Sequence, residues 1–113
     1  MKLTLTKAYE FSASYSSGKR VIAHNYRLIA IFENVAEFSE TGLDSNVHSS
    51  LIQKIHSRDL GQDVDFLRDV VLSDVSLLKA FWPLVAEAIK PANLVSLSLE
   101  RDRLTRWTLT DLD

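Results

Sequence analysis

The chain has 113 residues, of which 46% are hydrophobic and 25% are charged, with a formal net charge of −2 and an isoelectric point near 5.9. This length suits one modest hydrophobic core, so we expect a single domain over residues 1–113. The charge balance argues against nucleic acid as a partner. The absence of cysteine excludes disulfides, thiolate metal ligands and cysteine nucleophiles.

The apolar segments are too short for a membrane span. The longest wholly apolar run, Leu28 to Phe32, is far below the roughly 20 residues that a spanning helix requires. The N-terminal stretch MKLTLTKAYEF has no long apolar segment after its first lysine, unlike a secretory signal. We therefore expect a cytoplasmic protein with no membrane partner.

The first third of the chain has the pattern of a long β-hairpin. Apolar and polar residues alternate from Leu3, clearly at first and more loosely after Lys7. Gly18 lies in a turn sequence, where it can adopt a positive φ. Arg20 to Phe32 then forms a second strand, which predicts a hairpin over residues 2–34.

The period changes to that of a helix after Gly42. Val47, Leu51 and Ile55 recur every four residues, which predicts a first helix ending at Leu60-Gly61. Its expected N-terminal cap is one of three polar residues, namely Asp44, Ser45 or Asn46.

A second helix is predicted from Ser73, which is a good N-terminal cap. Pro83 lies inside its broad apolar stripe and is expected to kink the helix or divide it in two. Pro91 is expected to stop it.

The last third returns to strand patterns. Leu94 to Glu100 alternates in part, and Leu104 to Leu109 completes a second hairpin. Arg101, Arg103 and Arg106 come closest to a basic cluster, and we interpret them as part of a solvated strand pair. The order strand–strand–helix–helix–strand–strand predicts an α+β domain, with a four-stranded antiparallel sheet and two helices on one face.

Short stretches spread over nearly the whole chain resemble the motifs of one enzyme family. They are FSASY at 11–15, IAHNYRL at 22–28, ETGLDSNV at 40–47, DVDFLRD at 63–69, SDVS at 73–76 and LER at 99–101. They are similar, in this order, to F-S-A-A-H, L-H-G-H-N-Y-R/K-L, E-T-G-M-V-I-D-F, D-H-x-x-L-N-D, P-T-x-E and W/Y-E-T of the 6-pyruvoyl- and 6-carboxytetrahydropterin synthases. AHNYRL and ETG are the most specific matches. The resemblance implies the tunnelling fold (T-fold) and identifies the chain as a degenerate member.

That family binds zinc through three histidines, one ending F-S-A-A-H and two from H-G-H. The matching positions here are Tyr15, Ile22 and His24. Residues two apart on a strand point to one face, and the neighbouring strand supplies the third ligand. Isoleucine cannot ligate zinc and neutral tyrosine is a poor ligand, so we predict that zinc and other cofactors are absent. His24 is then a remnant, a strand histidine hydrogen-bonded to a neighbour such as Tyr15.

The catalytic residues implied by the resemblance are a cysteine assisted by an Asp–His pair. Cysteine is absent, and Asp63 stands at the aspartate position with Val64 in place of the histidine. We therefore interpret Asp63 as a remnant that serves as a loop or capping carboxylate.

Two further histidines, His48 and His56, fall on the first predicted helix. They are too far apart along the helix to chelate one ion together. Asp44 and His48 would form a carboxylate–imidazole pair only if that helix began early.

Glu100 is the one functional position that survives. In the resembling family this glutamate accepts hydrogen bonds from an N–H and the exocyclic amine of the pterin, which suits two coplanar carboxylate oxygens. Glu100 should lie on the strand face opposite Leu97 and Leu99, and Arg101 replaces the usual threonine. We predict that Glu100 binds a pterin- or purine-like ring; the alternative is an exposed polar strand position.

Three functional classes follow. The first is a pterin-synthase-like pseudoenzyme without zinc or catalytic Cys/His that binds a pterin-like ring through Glu100. The second is a structural or partner-binding oligomer without a ligand. The third is an active lyase-type tetrahydropterin synthase with a site rebuilt from residues such as His24, Tyr15 and Asp63. The resemblance further implies a homo-oligomer, a trimer or a hexamer of stacked trimers, joined at sheet edges lined by Leu3, Leu5 and the second strand.

Overall fold

The computed structural model of the chain describes residues 2–35 and 40–111. The elements in chain order are β1 (Thr4–Ser17), β2 (Arg20–Glu33), α1 (Glu40–Val47), a π-helical segment (His48–Ile52), α2 (Gln53–Ile55), β3 (Arg58–Asp59), a 3-10 turn (Asp65–Leu67), α3 (Asp74–Ala88), β4 (Asn93–Arg101) and β5 (Thr105–Thr110). The predicted α+β class is confirmed.

The N-terminal hairpin matches its prediction closely. β1 and β2 have 14 residues each and pair antiparallel in a continuous register from Thr4 opposite Glu33 to Ser17 opposite Arg20. Gly18 adopts a φ of +63° in the connecting turn, where a side chain would be strained. The sequence signals for this hairpin are local, so they survive in the fold.

The sheet has five strands in the order β3-β1-β2-β4-β5, so the predicted four-stranded antiparallel sheet is wrong. The additional strand, β3, runs parallel to β1 beside Ala13 and Ser14. Backbone bonds flank it, from Ser57 N to Ser12 O at 2.6 Å and from Leu60 N to Ser14 O at 2.7 Å. A two-residue strand is too short to show an alternating pattern, and only the tertiary path of the chain creates it.

The first helical region differs from its prediction at both ends. It begins at Glu40, so the expected caps at residues 44–46 lie inside the helix, and it ends at Ile55 rather than at Leu60-Gly61. His56 already has an extended backbone, and Ser57 has a φ of +59°. The π-helical segment widens the turn, which suits the four-residue spacing of the buried apolar residues.

The third helix, α3, begins as predicted. Ser73 accepts a bond from Ser76 N, and the Ser76 hydroxyl accepts one from Ser73 N, which forms a reciprocal cap. α3 runs from Asp74 to Ala88 through Pro83, so of the two expected effects of this proline, a kink or a division, the division does not occur. Burial of Leu77, Phe81 and Val85 on one face compensates for the hydrogen bond that proline removes.

The helices cover one face of the sheet. Alternate residues of β2 face them and are buried: Tyr26, Leu28, Ala30 and Phe32. The intervening residues of β2, Arg27 among them, point to the opposite face, which the helices leave open. Of the helices in the described ranges, none is long and apolar enough to cross a membrane.

The predicted sheet edges need one correction. β2 pairs with β1 along its length and with β4 from Tyr26 to Glu33, so it lies inside the sheet and is not an edge. The open edges are β5 on one side and, on the other, the part of β1 that the short β3 leaves uncovered. Leu5 lies on that part of β1.

Candidate functional site

Four charged residues form a row across the face that the helices leave open. The strand registers place Glu10 opposite Arg27, Arg27 opposite Glu100, and Glu100 opposite Arg106. Directly opposite side chains on one face have Cβ atoms about 5 Å apart, so this charged row alternates in sign from β1 to β5.

Glu100 is the buried member of the charged row. It is 8% exposed, so the alternative of an exposed strand position is wrong. Arg106 donates from Nη2 at 2.7 Å and from Nε at 3.1 Å, both to Glu100 Oε2. No other residue of the described part of the chain bonds to the Glu100 carboxylate, so Oε1 is left without a protein donor there. Arg106 itself is half-exposed.

A cleft of about 570 Å³ opens beside the charged row and is called here the Glu100 cleft. Besides Glu100, its lining includes Glu10, Asn25, Arg27 and Arg103. Its volume falls within the roughly 300–1,000 Å³ of small-molecule sites. The Arg27 side chain has no hydrogen bond or ion pair to any described residue, so its five N–H donors are available to solvent and the cleft.

His24 lies in a second cleft of about 420 Å³ and is paired with a carboxylate. Its Nδ1 is 2.6 Å from Oδ2 of Asp102, which lies in the β4–β5 turn with a φ of +52°. Asp102 N also donates to Asn25 O at 3.2 Å, so two bonds tie this turn to β2. His24 is therefore hydrogen-bonded as expected, but its partner is Asp102 and not Tyr15.

The three positions that match the family's zinc ligands do share a face. Tyr15 pairs with Ile22 across the hairpin, and His24 lies two residues further along β2. The side chains nevertheless do not fit the metal, because Ile22 offers no donor atom and the neutral phenol of Tyr15 is a poor zinc ligand. Burial raises the pKa of Tyr15, with a further contribution from Asp74, which disfavours the phenolate that zinc would need. Within residues 2–35 and 40–111, no group of three or more His, Asp or Glu is placed to hold a metal ion.

A buried polar cluster lies on the helix-covered face of the sheet, where β4 meets the start of α3. Arg101 Nη1 is 3.5 Å from Asp74 Oδ2, and Asp74 is 9% exposed. Asp74 Oδ1 and the Tyr26 hydroxyl are buried, and neither has a hydrogen-bond partner in the described residues. Burial raises the pKa of Tyr26 most, and Tyr15 and Asp74 raise it further.

Asp63 is placed away from His24 and Glu100. Its Oδ2 accepts from Asp59 N at 3.2 Å, and its own N donates to Asp59 O at 2.8 Å, which closes a turn. It lines a separate cleft with Ser49 and Gln53. The structure thus does not bring Asp63 into the clefts of His24 and Glu100.

The other histidines have structural contacts. His48 packs edge-on against the Tyr9 ring, with centroids 5.7 Å apart. Asp44 does not pair with it in the described residues, because Asp44 accepts from Tyr9 OH at 2.9 Å and from Lys7 at 3.1 Å. His56 lies beyond the helix, and its Nδ1 accepts from Ser12 N at 3.1 Å.

Sequence reasoning missed the partners of the candidate residues. Arg101 and Arg106 were interpreted as solvated, yet they pair with Asp74 and Glu100 respectively. The available signal was the i, i+6 spacing of Glu100 and Arg106 across a short turn, which makes them neighbours on adjacent antiparallel strands. No sequence signal links His24 to Asp102, which are 78 residues apart.

Comparison with known proteins supports the fold. No family model matches the sequence, and no curated protein matches it at a significant level. A solved structure of 6-pyruvoyl tetrahydropterin synthase from Caenorhabditis elegans is similar, with a TM-score of 0.82 and 15% sequence identity over 98% of this chain and 96% of that chain. The chain therefore has a fold like that of 6-pyruvoyl tetrahydropterin synthase, which confirms the fold expected from the motifs.

Proposed function

We propose that this protein binds a pterin- or purine-like ring through Glu100 and has lost the zinc-dependent chemistry of the enzymes whose fold it resembles. One observation carries the proposal: Glu100 is only 8% exposed, yet it lines an open cleft of about 570 Å³. Arg106 pairs with Oε2 of this buried carboxylate, and Oε1 still lacks a donor among the described residues, so a ligand in the cleft can supply one.

The chemistry of Glu100 selects a ring with N–H donors. A carboxylate only accepts hydrogen bonds, and Oε1 has no protein donor in the described ranges. The pyrimidinone ring of pterins and of guanine-like purines presents N–H donors in its plane. Binding would satisfy Oε1 with a charge-assisted bond, the stronger kind.

The loss of the zinc chemistry is supported by the ligand positions. Ile22 and Tyr15 stand where two histidines would be needed, which leaves one imidazole of three. The chain also has no cysteine to move a proton. Asp63 closes a turn with Asp59 and has no imidazole beside it in the sequence.

Fluorescence titration with neopterin tests the proposal. We expect saturable binding to the wild type and affinity about tenfold lower for Glu100→Gln, the loss typical of one charge-assisted bond. Glu87→Gln is the matched control, because Glu87 is exposed and pairs only with Lys90 at 2.7 Å. Equal affinities of wild type and Glu100→Gln, or no saturable binding by the wild type, would refute the proposal.

The His24–Asp102 pair favours a second candidate, a rebuilt lyase-type active site. A carboxylate on Nδ1 orients the imidazole and leaves Nε2 as a proton acceptor, in a cleft that includes Ser12 and Ser57. Incubation with dihydroneopterin triphosphate without added metal tests this candidate. Consumption that His24→Ala abolishes would establish it, and no consumption by the wild type would exclude this substrate.

The third candidate, an oligomer with a structural or partner-binding role, is compatible with the first. The sheet has two chemically different open edges, β1 and β5, and pairing one edge with the other in successive copies closes a ring. On β5, Trp107 is 48% exposed, which is unusual for a large aromatic on an unpaired strand. We propose a homo-oligomer, a trimer or a hexamer of stacked trimers.

A further inference from the structure

The two oxygens of Glu100 are chemically unequal in this structure. Arg106 donates to Oε2 from Nη2 at 2.7 Å and from Nε at 3.1 Å, and these two bonds use both lone pairs of Oε2. Oε1 has no donor in the described part of the chain. A ligand that enters the Glu100 cleft while Arg106 stays in place therefore finds a single acceptor.

The second available group is Arg27, on the other side of Glu100 in the charged row. It is the direct cross-strand neighbour of Glu100 and lines the same cleft. Its side chain has no ion pair or hydrogen bond to a described residue, and even the Glu10 side chain opposite forms none with it. The guanidinium presents only donors, so it requires a ligand acceptor.

A free acceptor on Glu100 beside a free donor on Arg27 matches one arrangement of ligand atoms. That arrangement is an N–H next to a C=O, the lactam edge found in 4-oxopteridines and 6-oxopurines. An amidine edge, which consists of an N–H and an adjacent NH₂, would instead need both oxygens of Glu100, and Oε2 is taken by Arg106.

We infer that Arg106 and Arg27 set the ligand specificity of this site: Arg106 restricts Glu100 to one oxygen, and Arg27 binds the adjacent carbonyl, so that the site recognises a lactam edge and is indifferent to the 2-amino group. This inference rests on the proposed binding role of Glu100. Two-point recognition by the carboxylate alone would require both oxygens, and the two hydrogen bonds from Arg106 to Oε2 oppose it.

Pterin and pteridin-4(3H)-one provide the test, because they differ only by the 2-amino group. For the wild type we expect dissociation constants within about threefold of each other, since no second bond is lost. Arg106→Met releases Oε2, so pterin should then bind about tenfold more tightly than pteridin-4(3H)-one. Arg27→Met should weaken both ligands about tenfold, because both keep the carbonyl.

Arg68→Met is the matched control, since Arg68 is exposed and pairs only with Asp65 at 3.1 Å. Should Arg106→Met fail to fold, Arg106→Lys replaces the fork with one ammonium, and a preference of about threefold for pterin is then expected. The wild-type comparison requires no variant.

The outcomes separate the two proposals. A tenfold wild-type preference for pterin that Arg106→Met leaves unchanged would overturn the inference, while sensitivity to Glu100→Gln in the same assay would uphold the binding role of Glu100. Absence of saturable binding of either compound by the wild type would overturn both.

Discussion

His24 and Asp102 are joined by a bond of 2.6 Å between Nδ1 and Oδ2, which fastens the β4–β5 turn to the N-terminal hairpin. The two side chains are only partly exposed, at 24% and 44%, so solvent screens their interaction incompletely. His24, the one histidine at the three positions that resemble zinc ligands, thus has a structural contact that accounts for it without a metal.

Asp102→Gly should destabilise the protein relative to Arg103→Gly by about 1 kcal/mol, the usual net contribution of such a bond. Both residues have positive φ values, 52° and 62°, so glycine relieves the same backbone strain at each. Only Asp102 bonds to His24. Urea denaturation of the two variants gives the difference directly, and equal free energies of unfolding would show that the bond adds nothing.

Two substitutions at the positions that resemble zinc ligands should create a zinc site, which the wild type should lack. Wild-type protein should retain far less than one zinc per chain after dialysis, and chelators should not change its melting temperature. The double variant Tyr15→His with Ile22→His places three imidazoles on one face of the hairpin, because these residues pair in register and His24 follows two residues later. We expect this variant to bind zinc and to melt at a higher temperature when zinc is added.

Elemental analysis by mass spectrometry measures the metal content. Tyr15→His alone is the control and should not retain zinc, because Ile22 still lacks a donor atom. Stoichiometric zinc in tag-free wild type would contradict the fit argument for these residues.

All three tyrosines should resist ionisation in the folded protein. Burial is the main cause of the raised pKa of Tyr9, Tyr15 and Tyr26, and Asp44 raises that of Tyr9 further. Above the ordinary value of 10.0, the unfolded chain loses tyrosine protons that the folded chain keeps, so stability falls as the pH rises. Below that value these groups contribute their full stabilisation.

Absorbance at about 295 nm follows phenolate formation directly. We expect little signal near the ordinary tyrosine pKa while the protein is folded, and a single cooperative rise at higher pH that coincides with loss of circular dichroism. A gradual rise centred near the ordinary tyrosine pKa in folded protein would contradict the burial of these hydroxyls.

Tyr9→Phe and Tyr26→Phe should change the free energy of unfolding by different amounts. Tyr9 donates to Asp44 at 2.9 Å, so its loss should cost about 1.5 kcal/mol. The Tyr26 hydroxyl is buried and has no partner in the described ranges, so removing it should be neutral or stabilising. Urea denaturation measures both, and a cost above about 1 kcal/mol for Tyr26→Phe would mean that a bound molecule satisfies this hydroxyl.

Trp107→Lys should lower the oligomeric state. Trp107 is half-exposed on the open edge strand β5, and a lysine there opposes edge-to-edge pairing. Val71→Lys is the control, because Val71 is 90% exposed but lies in a loop outside the sheet. Light scattering at micromolar concentration measures the mass, and a monomeric wild type would contradict the proposed assembly.

The sequence by itself determined the elements with strong local signals. The turn at Gly18 and the alternation around it specify the first hairpin, and Ser73 specifies the start of α3, because a turn and a cap depend on residues only a few positions apart. The motifs also placed Tyr15, Ile22 and His24 on one face and put Glu100 opposite Leu97 and Leu99, since strand alternation is a local property.

The tertiary structure decided which side chains meet. β3 exists because the chain returns to β1 after α2, and Asp102 reaches His24 because β4 lies beside β2. The unequal oxygens of Glu100 depend on Arg106, whose position on β5 only the sheet register reveals. Contacts between residues far apart in the chain depend on packing of the whole domain, which no local pattern encodes.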